Sequence, residues 1–242
     1  MKAIKQFIPN LITLLNLLAG CFGVYFAMKG DLITASYCTL LGIFFDFFDG
    51  LAARLLKVSS ELGKQLDSLA DLVTSGLVPA LVVFQLFNYE NLATNISIDI
   101  KNDWYFFVAF FITLGSAYRL AKFNIDEDQS DKFIGLPTPA NAILLLSLVF
   151  ILKFENIYWL NEIILNDYFL LAISLLSIFL LNMNVELFSL KLKSLKLKEN
   201  KVVFGFLVYS ILLLVFLKFL GVTLIIVSYI LVSLFTKKNR SN

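Results

Sequence analysis

Histidine is absent from this 242-residue sequence, cysteine (2) and proline (4) are scarce, and charged residues make up only 16%. Each shortage excludes something. Without histidine, a general base has to be a carboxylate, Lys, Tyr or Cys. The commonest transition-metal ligand is missing too, which favours a hard, oxygen-held divalent cation: Mg²⁺ or Mn²⁺, with Ca²⁺ also compatible. Cys21 and Cys38 lie in apolar runs and read as small core residues, not as a disulfide or a reactive thiolate. Ordinary soluble domains carry about 25% charged residues, so this chain is poor in charge. Basic and acidic residues nearly cancel, at +2, which gives no reason to expect a nucleic-acid partner.

Apolar residues fill the space left by charge. The chain is 59% hydrophobic, with 25 Phe and a mean hydropathy of +0.84. That predicts an all-α integral membrane protein, a helical bundle of about eight transmembrane helices. Runs near the ~20 residues a bilayer requires fall at 10–28, 32–54, 63–87, 104–123, 140–154, 168–183, 203–220 and 222–235. Residues 1–9 read as a short N-terminal interfacial helix. No small-residue cleavage site closes the first apolar run, so it reads as a retained span. Tyr158 and Trp159 suit headgroup depth, and the stretch 191–201 is basic. Eight spans put both ends of the chain on one side, together with sixteen of the twenty Lys and Arg residues; Lys29, Lys101, Lys153 and Lys218 fall on the other. The positive-inside rule then predicts a multi-pass protein of the inner (cytoplasmic) membrane with both termini cytosolic.

One stretch stands out against this apolar background. It reads Asp46-Phe-Phe-Asp49-Gly50-Leu-Ala-Ala53-Arg54, then eight residues, then Gly63-Lys-Gln-Leu-Asp67-Ser-Leu-Ala-Asp71. Ionisable residues in or beside membrane spans are costly and mark function by default. Four of one sign repel unless cations lie between them. Asp46 and Asp49 are i, i+3; Gly63, Asp67 and Asp71 are successive i, i+4 positions, so each set shares a helix face. Gly42, Gly50 and Ala53 lie beside the first pair and permit close approach by a neighbouring helix or a ligand. Two antiparallel helices on a short link can thus aim four carboxylates at one point, an arrangement suited to two divalent ions and displacement at phosphorus. Arg54 reads either as a phosphate fork or as a snorkelling interface residue. Ser60 offers a hydroxyl or a helix cap. The competing explanation for the acids, structural pairing with Arg54, Lys57 and Lys64, leaves the small-residue stripe unexplained.

The pattern Asp-x-x-Asp-Gly-x-x-Ala-Arg-x8-Gly-x3-Asp-x3-Asp resembles the signature of the CDP-alcohol phosphatidyltransferases and matches it at every motif position. The stretches 8–13, 59–71, 118–124 and 135–139 further resemble the bacterial, membrane-embedded branch that takes L-serine as acceptor. Strong resemblance covers residues 8–142. It implies transfer of a phosphatidyl group from CDP-diacylglycerol to the hydroxyl of L-serine with release of CMP, assisted by Mg²⁺ or Mn²⁺. By the same resemblance, Asp46, Asp49 and Asp67 bind metal, while Asp71 touches one ion and is the catalytic base. CDP-diacylglycerol contacts are implied at Asn10, Thr13, Asp49, Gly50, Ala53, Arg54, Ser60, Gly63 and Asp67. The family architecture implies a six-helix core over 1–184, an addition over 185–242, and a homodimer among membrane lipids.

Arg119 reads as a holder of the serine carboxylate or as a topology-setting charge. A phosphorylated acceptor, such as glycerol 3-phosphate or inositol phosphate, needs further cations, for which only Arg119, Lys122 and Lys132 are candidates. A divalent-cation transporter, the reading from another class, expects acids at mid-membrane on broken helices. No Cys or Lys is clearly placed to form a phosphatidyl-enzyme, so the expected chemistry is direct transfer.

Overall fold

The computed structural model describes residues 2–58, 60–89, 103–125, 134–155, 157–185, 187 and 201–238. Ser59, Lys132 and most of the expected polar loops and basic stretch lie outside them. Among the described residues the extended regular elements are all helical. Five helices are long and apolar enough to cross a membrane, and a bent pair makes up to six. The protein is a multi-pass, all-α membrane protein.

Helix α1 (Lys2–Met28) packs along α2 (Leu32–Leu55) as an antiparallel pair. The tight turn expected at 29–31 is present. Gly30 takes φ 76, its N–H reaches Ala27 O at 3.0 Å, and Asp31 N reaches Phe26 O at 3.0 Å, which closes α1 in a Schellman-type end. The Asp31 carboxylate then caps α2 by accepting from Thr34 N at 3.0 Å. Residues 2–9 continue α1 without a separate interfacial helix, with Pro9 inside it. Proline removes one backbone donor there, and the long helix on either side carries through.

At its other end α2 stops with Lys57 in the left-handed position (φ 51). Lys57 N donates to Arg54 O at 3.2 Å and Val58 N to Ala53 O at 3.0 Å, the same capping geometry with Lys where Gly is usual. This sharp reversal brings α3 (Glu61–Asp71) back beside α2. The chain continues through a π-helical stretch, Leu72–Leu77, into α4 (Val78–Phe87), and the whole forms one 27-residue candidate span. Gly42 faces that π stretch so tightly that a Cβ there would run into Thr74 Cγ2 and Asn16 Oδ1. Small size, not backbone freedom, is what this position requires.

A 3₁₀ stretch, Trp104–Phe110, leads into α5 (Phe111–Ile125). Helix α6 (Thr138–Phe154), buried along most of its length, has 17 residues and falls short of a full crossing. Helix α7 (Tyr158–Ile164) joins α8 (Asp167–Asn182) at a 61° bend. Tyr158 and Trp159 are both exposed, as an interfacial position predicts.

The last helix, α9 (Lys201–Lys238), is broken at Lys218 (φ 43, ψ −117). The rings of Phe206 and Tyr229 lie 6.0 Å apart. A straight helix would separate them by about 35 Å, so the chain doubles back and the two expected C-terminal spans form a hairpin. The break falls at Lys218, and Gly221, three residues on, serves close contact between the legs: a Cβ there would collide with Leu213 O. Glu155, just past α6, caps the returning leg by accepting from Phe219 N at 2.9 Å and Leu220 N at 3.2 Å. Cys21, expected in the core, is exposed, because its face of α1 turns outward.

Candidate active site

The reversal between α2 and α3 brings the acids together. Carboxylate oxygens of Asp46, Asp49 and Asp67 lie within 4.8 Å of one another. Asp71 stands outside that set, with its Oδ1 accepting from Asn16 Nδ2 at 3.2 Å. Asp49 and Asp71 are buried, and Asp46 and Asp67 are half-buried. No described Lys or Arg forms an ion pair with any of the four. Two of the three cations that would serve structural pairing are engaged elsewhere: Lys64 Nζ donates to Asn124 O at 2.8 Å and Arg54 Nε to Gly50 O at 3.0 Å.

This donor set fits a divalent cation. The ligands are hard oxygens, they converge, and Asp67 Oδ1 is buried without a hydrogen-bond partner. A buried carboxylate oxygen left without a donor is costly, and a cation between Asp46, Asp49 and Asp67 would remove that cost.

A cleft of about 550 Å³ opens beside the cluster, between α1, the end of α2 and the start of α3. Of the residues expected to contact the nucleotide lipid, it is walled by Asn10, Thr13, Asp49, Gly50, Ala53, Ser60, Gly63 and Asp67. A Cβ on Gly50 would meet nothing within 4 Å, so that side of the cleft is open. Gly63 is more confined, with Asn10 Oδ1 and Ser60 Oγ at 3.0 and 3.1 Å from a would-be Cβ. Ser60 is the N-cap of α3, and its Oγ accepts from Gly63 N at 3.0 Å. Arg54 is exposed and turned onto its own helix, and it does not wall the cleft. Gln6 and Glu61 add polar walls that sequence reasoning did not single out, and Lys64, read there only as a partner for the acids, lines the cleft as well.

Helix α1 contributes more than a wall. Thr13 Oγ1 donates to Asp49 Oδ2 at 2.5 Å, and one turn on Asn16 holds Asp71. Asn16 was missed by the sequence reading. Its signal is the three-residue spacing of Asn10, Thr13 and Asn16, a polar line along an apolar helix.

Arg119 lies away from the cleft but close enough to Asp71 for their charges to interact. Its Nε is buried without an acceptor. It lines a narrow crevice together with Lys122, Ile134, Asn182 and Met183.

The CDP-alcohol phosphatidyltransferase family matches residues 6–180. A Bacillus subtilis protein named CDP-diacylglycerol–serine O-phosphatidyltransferase is 33% identical over 145 residues, 60% of this chain and 76% of the relative. A Helicobacter pylori protein of the same name is 33% identical over 138 residues, 56% of this chain and 54% of the relative. A Methanocaldococcus jannaschii protein, also so named, is 32% identical over 157 residues, 65% of this chain and 66% of the relative. The chain thus spans about half the length of the Helicobacter relative and three quarters of the Bacillus one.

Proposed function

The chain belongs to the CDP-alcohol phosphatidyltransferase family, and we propose that within it the protein transfers the phosphatidyl group of CDP-diacylglycerol to the hydroxyl of L-serine, yielding phosphatidylserine and CMP. The observation that carries this reading is the convergence of Asp46, Asp49 and Asp67 at one edge of a cleft large enough for a nucleotide headgroup. The serine acceptor is supported by the names of the relatives.

In this reading the cleft wall from Asn10 to Gly63 receives the CDP moiety, and Gly50 leaves room for it. Asp46, Asp49 and Asp67, with the free oxygen of Asp71, hold Mg²⁺ or Mn²⁺, two ions in the full site. Bound dications supply charge neutralisation on the pyrophosphate, which makes CMP a better leaving group. Asp71 takes the proton of the serine hydroxyl. The serine oxygen then forms its bond to the lipid-side phosphorus as the bridging P–O bond breaks, and CMP departs with that electron pair. Positioning and charge dominate such a transfer, and no covalent enzyme intermediate is needed. Arg119, with its unpaired buried Nε near Asp71, receives the serine carboxylate.

Residues 1–184 form the catalytic core and 185–242 an addition to it. The protein works as a homodimer in the cytoplasmic membrane with the aspartate cluster facing the cytosol, a placement supported by the bias of Lys and Arg toward that side. The test is purified protein with CDP-diacylglycerol, Mn²⁺ or Mg²⁺, and a panel of alcohols. Serine-dependent CMP release with phosphatidylserine as product is expected. CMP release only with glycerol 3-phosphate or an inositol phosphate would overturn the acceptor while leaving the family chemistry intact.

A further inference from the structure

Asn16 is fully buried in the middle of a transmembrane helix, where a polar amide needs a reason. Its backbone carbonyl accepts from Thr74 Oγ1 at 3.2 Å, which ties α1 to the π stretch immediately beyond Asp71. Its side-chain Nδ2 donates to Asp71 Oδ1 at 3.2 Å. The amide's own Oδ1 is buried with no partner, packed where Gly42 leaves just enough room for it. Flipping the amide would set that oxygen against a carboxylate oxygen, so the donating orientation is fixed. A purely structural role explains this poorly, since an apolar side chain of the same shape would fill the site without stranding a carbonyl oxygen.

The placement of the four acids completes the argument. Three have oxygens mutually within 4.8 Å, and the one outside that set is the one Asn16 holds. We infer that Asn16 is a positioning residue: by occupying one oxygen of Asp71, it fixes the rotation of this carboxylate and presents its other oxygen to the edge of the metal cluster and the acceptor hydroxyl. Asn16 thereby sets Asp71 apart from three chemically identical side chains and leaves it a single oriented oxygen with which to take the proton. The inference rests on the proposed role of Asp71 as base.

The closing experiment compares Asn16→Leu and Asn16→Asp with Asp71→Asn in the full-length protein in mixed micelles. It measures kcat, the KM for CDP-diacylglycerol, the half-saturating Mn²⁺ concentration and thermal stability. Groups that hydrogen-bond a metal's ligands typically contribute 10–100-fold to activity, so Asn16→Leu should lower kcat by roughly that factor. Its KM for the lipid, Mn²⁺ half-saturation and thermal midpoint should stay near wild type. Asn16→Asp, equal in size but an acceptor in place of a donor, should lose at least as much. Wild-type kcat in Asn16→Leu beside an inactive Asp71→Asn overturns the inference and spares the base. A kcat loss matched by a fall in stability or a shift in Mn²⁺ half-saturation overturns it in favour of a packing or ligand role. Wild-type turnover in Asp71→Asn overturns the base assignment itself.

Discussion

Replacing Thr13 with Val removes one hydroxyl and keeps the shape; it deletes the 2.5 Å bond from Thr13 Oγ1 to Asp49 Oδ2 together with the same oxygen's longer, 3.1 Å contact to Pro9 O, which lacks a charged partner. Thr13 is buried, and it stands both in the cleft wall and behind a carboxylate of the convergent set. A hydrogen bond to a charged group contributes about 1.5–3 kcal/mol, and every 1.4 kcal/mol is a tenfold change in an equilibrium constant. Losing this bond should therefore weaken metal binding by roughly 10- to 100-fold, in line with the loss seen when partners of metal-ligating groups are removed. The assay is CMP release from CDP-diacylglycerol and serine across a Mn²⁺ titration. The variant should need about 10- to 100-fold more Mn²⁺ for half-maximal rate, and saturating metal should recover much of the turnover. If Thr13 served only as a lipid contact, the KM for CDP-diacylglycerol would rise and the Mn²⁺ curve would stay put. That result would refute the reasoning.

Two further predictions follow from groups outside the cleft. Arg119→Ala should raise the KM for serine by roughly 10- to 100-fold, the equivalent of one charge-assisted bond, and leave that for CDP-diacylglycerol unchanged; Arg119→Lys should restore little, because a single ammonium does not reproduce the planar fork. An unchanged KM for serine would reassign Arg119 to topology. Glu155→Ala should lower the thermal midpoint and speed proteolysis of the C-terminal hairpin, since the N–H groups of Phe219 and Leu220 lose their shared acceptor at a cost of about 1.5–3 kcal/mol. Turnover per folded molecule should hold, and an unaltered midpoint would show that the cap is dispensable.

The aspartates were legible in the sequence for a physical reason. Charge within apolar spans is expensive, so four acids at helical spacing needed an explanation, and that spacing already placed them on facing sides of neighbouring helices. The spans were legible from hydropathy, but the detail within them was not. The π stretch Leu72–Leu77 has the composition of any apolar helix, and nothing in it announces i→i+5 bonding. Gly221 looked like the natural break between the last two spans, yet its value lies in packing against Leu213 O, and Lys218 takes the turn. Ser60 had two readings, and the structure shows the cap. Arg54 also had two readings, a phosphate fork and a snorkelling interface residue, and in this structure its Nε donates to Gly50 O. Asn16 escaped notice because an amide in an apolar run, even in line with Asn10 and Thr13, says little until its partner, 55 residues away, is known.

Everything proposed for this chain depends on divalent cations binding between Asp46, Asp49 and Asp67. Anomalous scattering from crystals grown with Mn²⁺ and CDP-diacylglycerol tests this directly. Manganese peaks between those three carboxylates, with the pyrophosphate against them and Asp71 still bonded to Asn16, are the predicted result. Peaks elsewhere, or a bound nucleotide lipid with no metal among those oxygens, would contradict it.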